Sequence, residues 1–436
     1  MAALGDALAS APRLRRARVG WFGTEGRTAR ELVTRLASSR TLTALAIGAG
    51  VLMPGATTDA AAVSALAAAL QSSASLREVD LGALPLTEAS AAELAEALAA
   101  SASLTSVCPA PSHLPGAALG HVVGLVRASG ALRALSIRGP RQLGTAGGRA
   151  VLASLGHSAG LTELSLVGVG MQGASAADLA PALGAAGRLR TLDLSRNWLR
   201  DAGLEAVGAG LRVNSCLTSL SLVGMGATAV GVRHVAAAVR ENSTLTELRL
   251  DGNAVGEDGA AAVAEMLLAN GALKSLGLRQ CKLGDGGISA IGRALPENSS
   301  LEALDLTFNR FTSHGAAALL EGMGLNRGVA QLDLWPWTVD SEGVNALSSM
   351  LRNNSTLACL DLGPATFSSS DLLALAGAIR EHSKLRKLGI KGGQELCAGR
   401  MALLVALEHS QHLVDLWHRR RQLVHWRASG ALRGRT

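Results

Sequence analysis

The sequence predicts an α/β solenoid: a row of strand–turn–helix units lying side by side, with a parallel β-sheet on the concave face and α-helices on the convex face. Three observations predict it. A leucine-led pattern recurs at a near-constant interval along almost all of the 436 residues. The pattern LxxLxL alternates as a strand with one buried face does. An alanine-rich run such as "AAAVAEMLLAN" then follows, with its apolar residues at helical spacing.

The register is regular. Units begin at Leu161, Leu189, Leu217, Leu245, Leu273, Leu301, Val329, Leu357, Leu385 and Leu413, each 28 residues after the last. Upstream, units begin at Leu14, Leu42, Leu76, Leu104 and Leu132, with steps of 28, 34, 28, 28 and then 29 to Leu161. A repeat of this kind overrides the two or three globular domains that length alone suggests. The expected organisation is a partial repeat or N-terminal cap helix over 1–13, an array of about 14 units over 14–418, and a basic tail over 419–436. "ALGDALASAPRL" matches the helical half of a repeat, so the chain starts in mid-unit, either as a cap or as a piece of a longer array.

Each element of the unit has a physical reason. The leucines at the first, fourth and sixth places bury one face of the strand. Asn at the ninth place (Asn197, Asn253, Asn309) is suited to bond the backbone of the turn that leaves the strand, and Cys281 takes that place once. Gly at the fifteenth place (203, 231, 259, 287, 315, 343 and 399) is expected to supply a tight turn before the helix. A lone unit cannot bury its apolar face, whereas stacked units can. Strands about 4.8 Å apart carry helices that need about 10 Å, so the stack is expected to bend with the sheet inside.

The full pattern, LxxLxLxxNxLxxxGxxxLxxxL, resembles the leucine-rich repeat in its ribonuclease-inhibitor-like class, over roughly residues 14–418. The resemblance implies a horseshoe-shaped solenoid that binds another protein on its concave face, as in the repeat regions of nucleotide-binding immune-receptor-type proteins. The ninth-place Asn is replaced at 169, 225, 337, 365 and 393, and the units around 104–131 and 385–412 are degenerate. Ran GTPase-activating-type proteins share the repeat, which makes a GTPase-activating protein for a small Ran-like GTPase the alternative. That reading expects a strongly acidic C-terminal tail and a positioned loop arginine. Here the tail is basic, and Arg138 and Arg196 match no motif.

Composition narrows the chemistry. Tyr is absent and aromatics make up 2% of the chain, so the core is built from Leu, Val and Ala. Residues 1–41 and 413–436 contribute +5 each to the net +7, leaving the body slightly acidic. Capping and solubility account for basic ends, as does contact with an acidic partner. Trp417 and Trp426 near Arg419–Arg421 match the interleaved aromatics of a nucleic-acid groove only loosely, so no nucleic-acid partner is expected. Five scattered Cys without a CxxC pair argue against disulfides and zinc and favour a reducing, cytoplasmic setting. The N-terminus lacks a secretory apolar run, although its arginines leave an organelle transit peptide as another reading. No apolar run is long enough for a membrane span.

No phosphate loop, GxSxG elbow or HExxH helix occurs, so neither an enzyme nor a cofactor is expected. "GLRQCKLGDGG" is glycine-containing but lies in a repeat turn. His409 and His412 read as solvated residues at an array end. Asn-x-Ser/Thr occurs at Asn242, Asn298, Asn353 and Asn354, one place of the unit, and reads as a repeat feature rather than a glycosylation signal.

Candidate binding residues lie between the strand leucines. Asp305, Asp333 and Asp361 occupy the fifth place of consecutive units and would stack as a carboxylate column with about 4.8 Å between neighbours, inviting a cationic partner. Trp335 and Phe308 stand beside this column, in the manner of interface anchors. Arg249, Asp251 and Arg279 form a second group, and Trp198 is a lesser candidate. Trp337 and Phe311 read as packing. The commoner account of the column is that LxxLDL is simply a frequent spelling of the strand.

Overall fold

The computed structural model describes residues 7–8, 10–21, 35–37, 39–49, 60–81, 87–108, 123–124, 126–127, 129–139, 143–158, 160–335, 340–364, 367–382, 384–391, 415–417 and 424–425. The chain divides into two compact units, residues 1–225 and 226–436.

In the first unit, strands β1 (Arg16–Trp21), β2 (Ala44–Ala49), β3 (Glu78–Asp80), β4 (Ser106–Cys108), β5 (Ala134–Arg138), β6 (Glu163–Val167), β7 (Thr191–Asp193) and β8 (Ser219–Ser221) pair in sequence order, all parallel. Helices α1 (Ala60–Ser72), α2 (Glu88–Ala100), α3 (Gly144–Ser154), α4 (Ala176–Ala185) and α5 (Arg200–Val213) alternate with them. The uneven steps of the sequence reappear as pairing offsets: Ala44 faces Glu78, and Ala134 faces Glu163.

In the second unit, β9 (Glu247–Arg249), β10 (Ser275–Gly277), β11 (Ala303–Asp305), β12 (Gln331–Asp333), β13 (Cys359–Pro364), β14 (Lys387–Lys391) and β15 (Asp415–Trp417) pair in order, again parallel. A last strand, β16 (Val424–His425), runs antiparallel to β15 within the stretch read as a basic tail. Helices α6 (Ala229–Glu241), α7 (Gly256–Ala269), α8 (Gly284–Ala294), α9 (Ser313–Leu325), α10 (Ser341–Asn353) and α11 (Ser369–Glu381) alternate with the strands. Strands β1 to β15 all begin at the third place of their predicted units.

Both units are held by a buried leucine spine. Leu245, Leu248 and Leu250, and their equivalents Leu273, Leu276 and Leu278, are at most 1% exposed. Burying such a side chain contributes about 1.5–3 kcal/mol.

Two asparagine ladders join the turns. The ninth-place Asn does what the sequence suggests. Asn309 Nδ2 donates to Leu278 O (2.8 Å) and Leu306 O (2.9 Å), while its Oδ1 accepts from the N–H groups of Cys281 (2.9 Å) and Leu283 (3.3 Å). Cys281, in the same place, donates its thiol to Leu250 O at 3.3 Å. The second ladder lies where helix returns to strand. Asn298 Nδ2 donates to Leu267 O and Asn270 O, and its Oδ1 accepts from Ser300 and Leu301 N–H. Asn242, Asn298 and Asn354 are buried and bonded in this way, which supports the repeat reading of those sequons.

The fifteenth-place glycines depart from expectation. They lie inside the first helical turn and are absent from the residues with positive φ. Their role is close packing. A Cβ on Gly259 would sit 3.3 Å from Ala229 Cα, and one on Gly315 2.7 Å from Asp285 Cα, so neighbouring helices touch where no side chain fits. The left-handed turn comes earlier, at the eighth place (Gly168, Gly224, Gly252) and again at the twelfth (Gly256, Gly284). Gly399 lies outside the described residues.

Candidate functional site

The strand residues between the leucines point away from the helices, so that one face of the sheet is left to polar and aromatic side chains. On the second unit's face, Asp305 is paired in register with Asp333, and Asp333 with Asp361, as the column requires. These carboxylates also have local duties. Asp305 Oδ1 accepts from Thr307 N–H, and Asp361 Oδ1 from Gly363 N–H, both at 2.9 Å. Asp333 accepts from Gln331 Nε2 at 3.0 Å. Burial pushes the Asp333 carboxyl above its ordinary value, and the flanking charges of Asp305 and Asp361 push the same way against the Gln331 hydrogen bond. The column therefore holds one carboxylate that is costly to keep charged.

The aromatic pair is bound to the column. Trp335 Nε1 donates to Asp361 Oδ2 at 3.2 Å. The Phe308 ring meets the Trp335 ring edge-on, with centroids 4.5 Å apart at an interplanar angle of 64°. Room for the indole comes from Gly363, where a Cβ would stand 2.5 Å from Trp335 Cβ.

The arginine group joins the same line. Arg249 Nε and Nη2 both donate to Asp251 Oδ2, at 3.0 and 2.8 Å. Asp251 is buried and accepts the Arg279 backbone N–H at 2.9 Å on its other oxygen. It fits because Gly277 on the next strand has no side chain: a Cβ there would lie 2.7 Å from Asp251 Oδ1. The Arg279 guanidinium then stacks over Phe308, its Cζ 4.4 Å from the ring centroid. Arg249, Asp251, Arg279, Phe308, Trp335 and Asp361 thus form one chain of contacts, with Asp305 and Asp333 in register beside it. The two groups that look separate in the sequence meet through Phe308.

Phe308 is 38% exposed and holds φ +59°. A bulky residue in the left-handed region is costly and is found where the surroundings impose it. The weaker candidate, Trp198 of the first unit, is 56% exposed, with Arg200 Cζ 5.8 Å from its ring. Phe311 is buried, as packing requires, and Trp337 lies outside the described residues, as do His409 and His412. Among the described residues there is no cluster of His, Cys, Asp and Glu suited to a metal ion, and no helix is long and apolar enough to cross a membrane.

A leucine-rich-repeat family model matches residues 189–208, 241–264, 272–292 and 297–320. No curated protein matches the chain. Among solved structures, a chain in the crystal structure of the yeast Rad7 and Elc1 complex is 18% identical, with a TM-score of 0.49, over 77% of this chain and 80% of its own. Leiomodin-1 actin-binding site 2 is also 18% identical, with a TM-score of 0.28, over 40% of this chain and 86% of its own.

Proposed function

We propose that this chain, four stretches of which match a leucine-rich-repeat model, is an interaction scaffold that acts without catalysis and holds a protein partner on the helix-free sheet face of residues 226–436. The observation that carries this is the contact line from Arg249 to Asp361, with a half-exposed aromatic pair fixed at its centre. Interface energy concentrates on rigid aromatic anchors next to charges, and both rings here are held in place before any partner arrives. The column Asp305–Asp333–Asp361 suits a lysine or arginine of the partner, whose charge would lower the cost of ionising Asp333. Neither the matched family nor the similar structures point to a small GTPase.

The test is affinity capture from a lysate of the source cells with the full chain, run beside a Trp335→Ala, Asp333→Lys variant whose fold is checked by circular dichroism. Proteins retained by the wild type and lost by the folded variant support the reading. An unchanged set of captured proteins places the interface elsewhere.

A further inference from the structure

We propose that the groove along the strand-to-helix turns of residues 226–436, which adjoins the sheet-face site and shares Arg279 and Phe308 with it, binds a short acidic segment of a protein partner. The groove has a volume of about 1030 Å³, and Gly252, Arg279, Gln280, Lys282, Phe308 and Arg310 lie along it. Three of these are cations, and no carboxylate lines it. Arg279, Lys282 and Arg310 form no ion pair with any described residue. Of the acids beside it, Glu257 is engaged with the Gly286 N–H at 3.1 Å, and Asp251, which accepts the Arg279 backbone N–H, is paired with Arg249. A row of cations held together without counter-charge is unfavourable in the free protein, and an anionic ligand relieves it.

The backbone points to the same place. Among the described residues, five non-glycine residues have positive φ: Arg196, Arg200, Gln280, Lys282 and Phe308. Gln280, Lys282 and Phe308 line this groove, and Arg196 and Arg200 line the equivalent groove of the first unit. In neighbouring repeats the same places hold glycine, at Gly168, Gly224 and Gly252 for the eighth, Gly170 and Gly226 for the tenth, and Gly256 and Gly284 for the twelfth, where Arg200 stands. Where the turn is left-handed it is comfortable with glycine, and the described side chains that adopt that conformation all line these two grooves. Local rules broken in this way mark functional positions.

Peptide fits better than nucleic acid. The groove offers one aromatic face, Phe308, whereas single strands stack on several. Four successive turns at about 4.8 Å span about 14 Å, the reach of four or five extended residues. The expected ligand is therefore an extended stretch with two or three Asp or Glu and one apolar residue to rest on Phe308.

Because Arg279 and Phe308 belong to both sites, the variants are placed at Lys282 and Arg310 and leave Asp333 and Trp335 intact. A random eight-residue peptide library displayed on phage is selected against the full chain and against a Lys282→Gly, Arg310→Ala variant. Glycine in place of Lys282 suits the turn, so the fold is retained. Enrichment of acidic peptides on the wild type, with at least tenfold weaker binding of those peptides to the variant by fluorescence anisotropy, is the expected result. Selected peptides without acidic bias, no enrichment at all, or equal binding to both proteins would overturn it. Tighter binding of a labelled oligo(dT), lost in the variant, would reassign the groove to nucleic acid.

Discussion

Replacing Lys282 by glycine and by alanine separates backbone strain from side-chain chemistry. Lys282 is exposed, has φ +58° and takes part in no ion pair with a described residue. An L-residue in the left-handed region costs roughly 1–2 kcal/mol, which glycine avoids. Glycine in turn loses roughly 0.5–1 kcal/mol more backbone entropy on folding than alanine. The difference leaves Lys282→Gly about 0.5–1 kcal/mol more stable than Lys282→Ala. For a unit of this size that is a rise in melting temperature of about 1–4 °C. The control is Leu268, which is 53% exposed within α7, where the order must reverse and glycine must cost roughly 0.5–1 kcal/mol relative to alanine. Urea and thermal unfolding of the four variants, followed by circular dichroism, reads the two differences directly. If Lys282→Ala equals or exceeds Lys282→Gly in stability, the strain at the groove is absent and the inference from it fails.

Other expectations concern the ladders and the column. Asn309→Ala removes four hydrogen bonds from a buried position and should cost about 3–5 kcal/mol in urea unfolding, since each stranded group costs about 1–3 kcal/mol and the turn relaxes in part; a loss below about 1 kcal/mol would mean the ladder is ornamental. Asp333→Asn should raise stability at neutral pH. The raised carboxyl makes its ionised form a cost above its folded-state titration, so the gain should fade as pH drops through the carboxylate range; a gain that persists in acid contradicts this. His382 stands in the second ladder's Asn place, accepting from Lys384 and Leu385 N–H on Nδ1 while its buried Nε2 has no partner. Burial lowers its titration point, so stability should fall as pH drops through the ordinary histidine range. His382→Asn should gain about 1 kcal/mol and lose that pH dependence, as measured by thermal melts across the range.

The architecture is legible in the sequence because it rests on spacing. A buried strand face needs Leu at alternate places, and stacking needs the same interval each time, so the third place of every predicted unit begins a strand even across the 34- and 29-residue steps. Glycine at the fifteenth place misleads because its identity reports only that a side chain is excluded. Both a left-handed turn and a helix–helix contact exclude one, and here the contact does so. Trp335, Phe308 and the column aspartates stand out as unusual side chains at exposed strand places. That Arg249 and Arg279 belong with them does not, since the link runs through a cation–ring contact that needs the left-handed turn at Phe308.

The sequence does carry one signal for that link. On this face a large side chain lies across a glycine of the next strand: Asp251 over Gly277, Trp335 over Gly363, and Asp361 over Gly389. Glycine is a poor strand residue, so its presence at a fifth or seventh place calls for a reason, and a neighbour lying flat supplies one. Side chains laid flat across strands reach the next strand's partner, which is how single residues 28 apart become a continuous line. The same glycines leave the flanking carbonyls paired and the face shallow, so binding energy must come from a few fixed anchors and not from depth. That is why the replaceable glycines of the turns matter more than those of the strands. A side chain at a turn, such as Lys282 or Phe308, adds relief to an otherwise flat surface at the cost of local strain, and a surface accepts such strain where something is to be held.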